Sequence, residues 1–78
     1  MTDMAVYYSE RDGEGSRNWI VEDSFLGIVA RKKTKKTAVK YGEGEAQSRA
    51  NHTDRRVVVE VYSKSDKLSD TLEVEPKT

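Results

Sequence analysis

The stretch RRVVVEVYSK, Arg55 to Lys64, constrains this chain more than any other. Side chains alternate across a strand with a period of two. Val57, Val59 and Val61 therefore share one face, and Val58, Glu60 and Tyr62 share the other. β-branched density of this kind suits a central strand, with cover on its valine face. The chain has 78 residues, which allows a single domain, 1–78. A domain of this size buries only roughly 60% of the surface its unfolded chain exposes. The core is small, and every large apolar side chain counts.

The other segments supply partners for that strand. MAVYYSE and NWIVED flank RDGEGSRN, Arg11 to Asn18, whose Gly, Asp, Ser and Asn are turn residues. The two flanks read as a hairpin with a long loop. Trp19 and Val21 share a face of the second strand, taken as the inward one. In SFLGIVARKK, a turn at Glu22 to Ser24 would lead to a third strand from about Phe25 to Arg31, with Gly27 marking a bulge or a close backbone approach. A single bent second strand is the alternative. TKKTAVKYGEGEAQSRAN is the one helical segment, with Thr34 as N-cap. Ala38, Val39, Gly42, Ala46 and Ala50 fall near helical spacing, so a stripe of small residues can sit close to a sheet. Gly42 and Gly44 each cost about 1 kcal/mol relative to alanine, so this helix depends on packing. Asn51 is expected to end it in the left-handed conformation. A final strand, LSDTLEV, places Leu68, Leu72 and Val74 on one face. Asp70 interrupts that face, as an edge strand tolerates. Pro76 ends the strand, and the tail after Val74 is expected to fray.

The expected fold is α+β: a small two-layer domain with an antiparallel sheet of four to five strands and one helix packed on one face. The order is β-β-(β)-α-β-β, with an ordered core over about residues 4–75. The other sheet face is left to water or to a partner.

These segments resemble the DUF2188 family of small prokaryotic proteins. The resemblance covers about residues 5–74. Trp19 and Val21 match a Trp-x-Val strand. Thr34, Lys35 and Ala38 match a Thr-Lys-x-x-Ala helix start, with Thr37 where an acidic residue is common. Val57 to Tyr62 match a valine-rich strand. SDKL, Ser65 to Leu68, departs from the Asp-Gly hairpin of the family. The family has no established activity, so the resemblance implies a fold and a prokaryotic origin without a mechanism.

Catalytic chemistry has few candidates. The chain has no cysteine, which removes disulfides, thiolate metal sites and cysteine nucleophiles, and fits a cytoplasmic setting. No apolar run approaches the roughly 20 residues that span a membrane. The N-terminal segment does not read as a signal peptide. His52 is the only histidine and is expected to be exposed after the helix. A zinc site is not expected. Glu43, Glu45, Asp66 and Asp70 show no convergent pairing of the kind hydrolysis needs. Neither GEG segment is a phosphate loop, because the Lys-Ser/Thr pair is missing. The expectation is a binding module and not an enzyme, with no cofactor and no metal.

The binding pointer is RKKTKK, Arg31 to Lys36. With Lys40 it gathers Arg31, Lys32, Lys33, Lys35, Lys36 and Lys40, in a chain of 14 basic and 14 acidic residues. Charge runs are commonly solvated faces, and part of this one starts a helix. Lys35 and Lys36 nevertheless oppose the helix dipole, which favours acids in the first turn. A helix start with exposed N–H groups and clustered lysines suits phosphate. The expected partners are nucleic acid or an acidic protein. A homodimer through the open sheet face or an edge strand is the other expectation. Tyrosines grouped with lysines on the helix-free face would favour bases as ligands.

Overall fold

The valine face of Val57, Val59 and Val61 needs apolar cover, and the helix provides it. The computed structural model describes residues 2–77. Its elements are β1 (Met4–Tyr8), β2 (Trp19–Asp23), β3 (Gly27–Lys32), α1 (Lys35–Thr53), β4 (Val57–Tyr62) and β5 (Leu68–Val74). They form one five-stranded sheet in the order β3-β2-β1-β4-β5, with α1 against one face. The α+β class and the two-layer plan match the expectation, and residues 18–31 form two strands.

The sheet is mixed, where an antiparallel one was expected. β1 and β4 pair in parallel, with Met4 opposite Val59 and Val6 opposite Val61. The remaining pairings are antiparallel. The connection explains the difference. Parallel strands need a long crossover, usually a helix. α1 is that crossover: it carries the chain from the β3 edge over β2 and β1 to a place beside β1. β4 thereby gains a neighbour on both sides, and Val59 becomes fully buried.

The helix follows its local signals at one end. Thr34 Oγ1 accepts the backbone N–H of Thr37 at 3.2 Å, and Thr34 O accepts that of Ala38 at 3.1 Å. The other end differs from expectation. Asn51 stays helical, and Asp54 takes the left-handed conformation at φ 55°, donating its N–H to Ala50 O. The buried stripe runs to Ala50, so the helix keeps its packing through one further turn. Asn51 instead holds the C-terminal segment. Its Oδ1 accepts Lys77 N at 2.7 Å, while Gln47 Nε2 donates to Glu75 O at 2.8 Å. Residues 75–77 therefore run along the helix. The stripe itself is Ala38, Gly42, Ala46 and Ala50, all buried. A Cβ on Gly42 would stand 3.3 Å from Val6 Cγ2 and 3.6 Å from Val21 Cγ1. Small residues let the helix settle onto β1 and β2.

Phe25 and Leu26 are not strand residues, because β3 begins at Gly27. They occupy the β2–β3 turn, 83% and 78% exposed. Asp23 Oδ1 accepts the N–H groups of Phe25 and Leu26, and Gly27 closes the turn at φ 80°. Asp23 Oδ2 takes Arg49 Nη1 at 2.7 Å, in a largely buried pair. The irregularity attributed to Gly27 lies further on, between the Val21–Ala30 and Glu22–Ile28 pairs. β2 is buried on both faces at its middle, at Ile20 and Val21. Val21 meets the helix, and Ile20 is fully enclosed outside the helix-face cluster. Arg31, opposite Ile20, donates its Nε to Asp12 O at 2.7 Å and draws the β1–β2 loop over the helix-free side. Trp19 is only partly buried, at the rim of the core.

Candidate nucleic-acid interface

The basic segment divides at the end of β3, and each cation has its own surroundings. Alternation along β3 sends Arg31 to the helix-free side. There it bonds Asp12 O and approaches Glu14 Oε1 at 3.6 Å. Lys32 points to the helix side, its Nζ 4.6 Å from the ring centroid of Tyr41. Lys33 is exposed. Lys35 Nζ donates to Ser69 Oγ at 3.1 Å, which ties the helix start to β5. Lys36 and Lys40 are exposed on the first turns of α1. Of the six expected site residues, Arg31, Lys32 and Lys33 are brought together. Lys35, Lys36 and Lys40 line a separate surface with Val39 and Glu43, and Lys35 there reaches toward β5, the edge opposite β3.

Arg31, Lys32 and Lys33 line a shallow depression of about 330 Å³ together with Arg17 and Thr37. Arg17 was not among the expected residues. It is delivered by a tight reversal inside the β1–β2 loop. Glu14 and Arg17 exchange two backbone hydrogen bonds, 3.2 and 3.0 Å, around Gly15 at φ 61°. β2 then starts at Trp19, opposite Lys32, so Arg17 emerges beside the end of β3. The one signal for it in the chain is its place two residues before Trp19. That becomes informative only when the β2–β3 register is known.

Among the described residues, Arg17, Lys32, Lys33, Lys35, Lys36 and Lys40 form no ion pair. The first turn of α1 contains no acid. Thr34 accounts for the N–H groups of Thr37 and Ala38. Those of Lys35 and Lys36 have no partner within the helix, which is the general condition of a helix start. Cations, free donors and the positive dipole end thus face the same region.

The helix-free face has the opposite character. Tyr7 donates its hydroxyl to Glu22 Oε1 at 2.8 Å, and Tyr62 donates to Glu60 Oε1 at 3.0 Å. Ala5 lies between Glu22 and Glu60 in the cross-strand register. Burial, then the bond to Glu22, raises the Tyr7 phenol well above its ordinary value. Hydrogen bonds from Thr2 and Tyr62 lower the Glu60 carboxyl. These tyrosines are grouped with glutamates, which repel phosphate. The basic depression and the acid-free helix start carry the opposite charge character.

His52 lies in the last turn of α1 and is exposed. It borders a surface groove with Phe25, Leu26 and Arg49. Among the described residues no three His, Cys, Asp or Glu gather as a metal site would need. Asp66 is in the β4–β5 turn at φ 66°, and Asp70 Oδ1 accepts the N–H of Thr71 on β5.

Comparison with family models, with curated proteins and with solved structures finds no match, which neither supports nor contradicts the DUF2188 resemblance.

Proposed function

We propose that this domain is a non-enzymatic binding module that holds nucleic-acid phosphates at the β3–α1 junction. The observation that carries this reading is the convergence of Arg17, Lys32 and Lys33, none in an ion pair, on one depression beside an acid-free helix start. The helix dipole disfavours lysines in that turn, and phosphate there gains directly from them. Lys35, Lys36 and Lys40 form a second basic surface on the first turns of α1, which a strand crossing the helix start would also meet. The reading includes the prokaryotic cytoplasm as the setting. Phosphate binding of this kind weakens steeply with salt, because each neutralised phosphate releases counterions.

The test is fluorescence anisotropy of labelled DNA and RNA oligonucleotides at low and high salt. Binding should fall as salt rises, and the combined Arg17→Ala, Lys33→Ala and Lys36→Ala variant should lose it. No binding at low salt would remove the reading.

A second reading is favoured by one observation, the exposure of Phe25 and Leu26 on a turn held rigid by Asp23 and Arg49. Large apolar side chains presented on a fixed turn suit a protein partner, a second copy included. Light scattering over a range of concentrations tests the self-associating form, and a strict monomer at high concentration excludes it.

A further inference from the structure

We infer that the nucleic acid held at the β3–α1 junction is single-stranded, and that its bases stack on Tyr8 and Trp19. This rests on the phosphate reading above and specifies the ligand of the same site. The supporting geometry is a row across the end of the sheet. Trp19 pairs with Lys32 on one side and with Tyr8 on the other. Lys64 continues the row from beyond β4, its Nζ 4.9 Å from the Tyr8 ring centroid. Two aromatic residues are therefore flanked in the register by two lysines: Lys64 has its ammonium over Tyr8, while Lys32, with its ammonium over Tyr41, also lines the basic depression.

The core uses Trp19 only at its rim and does not include Tyr8. Its closed part is made of Met4, valines and alanines at 0–3% exposure. Tyr8 and Trp19 keep part of their surface in water. They meet edge to face, with centroids 5.4 Å apart and planes inclined by 69°. The Tyr8 hydroxyl donates to Glu10 Oε1 at 3.3 Å, which steadies the ring. An incoming base takes the ring face, and Lys64 turns to its phosphate. Aromatic platforms in a basic setting bind single strands with little sequence preference, since every base has a π-face. Paired bases inside a duplex keep those faces stacked and out of reach. The helix-free face differs: among the described residues neither Tyr7 nor Tyr62 has a lysine or arginine over its ring, whereas Tyr8 has Lys64.

Trp19 is the only tryptophan, so its fluorescence reports on the row alone. The intact protein is titrated at low salt with a labelled ten-nucleotide single strand, its duplex, and an abasic strand of equal length. Anisotropy follows binding, and Trp19 emission follows stacking. The single strand should quench Trp19 and bind about ten-fold tighter than the duplex or the abasic strand. Tyr8→Ala should remove about that factor for the single strand only, while Tyr8→Phe, which keeps the ring, should retain it. Circular dichroism confirms that both variants are folded. If all three ligands bind equally without quenching, stacking is wrong and the phosphate reading stands. If no ligand changes the anisotropy, the phosphate reading fails, and this inference with it.

Discussion

At the scale of single residues, the two helix glycines separate packing from propensity. Gly42 faces β1 and β2 at close range, whereas nothing lies within 4 Å of a Cβ on Gly44. Gly44→Ala should raise stability by about 1 kcal/mol, since it gains helix propensity without a clash. Gly42→Ala should gain less, because Val6 must give way, and Gly42→Val should cost about 1–3 kcal/mol through overpacking. Urea denaturation of the three variants checks the order. Tyr7 gives a pH signature. Its phenol is raised in the folded state, while an unfolded tyrosine ionises near pH 10. Above that pH the unfolded chain binds fewer protons than the folded one, so stability falls as pH rises. The contribution is fully present below about pH 10 and fades above it. Tyr7→Phe should flatten the decline, as followed by chemical denaturation between pH 9 and about pH 11.

At the scale of elements, α1 sets stability and the proposed function against each other. Thr34 caps the helix, and Thr34→Ala should cost about 1 kcal/mol. Lys36 sits in the turn where the dipole prefers an acid. Lys36→Glu should therefore stabilise the domain by about 0.3–1 kcal/mol at low ionic strength, and it should weaken oligonucleotide binding. Thermal unfolding and anisotropy on the same variant read both effects. A variant that is more stable and binds unchanged would count against the phosphate reading. The start of the helix was legible in the sequence, because capping is a local event among residues 34–38. Its end was not. Asn51 and Asp54 both tolerate the left-handed conformation, and the choice followed from how far the buried stripe had contact with the sheet.

At the scale of the whole molecule, zero net charge hides a separation of charge. Cations gather at the β3–α1 junction, while Glu22 and Glu60 mark the helix-free face. At about 0.1 M salt the screening length is about 10 Å, so the acidic face should act only weakly on a ligand at the junction. Replacing Glu22 and Glu60 by glutamine should tighten oligonucleotide binding no more than a few-fold at low salt, an effect that disappears at high salt. A large gain would place the ligand on the sheet face instead. The sequence by itself determined the elements that rest on short-range causes. Alternation made β4 a central strand, Thr34 started the helix, and small residues at four-residue spacing defined its buried stripe. Only the tertiary structure decided the parallel pairing of β1 with β4, because strand direction depends on where the crossover lands. It also decided that Ile20 and Val21 are buried on opposite faces of β2 and that Arg17, Lys32, Trp19, Tyr8 and Lys64 lie at one end of the sheet. Those residues come from separate segments of the chain. Cross-strand register brings them together, and register is settled by the packing of the whole sheet, not by any one segment.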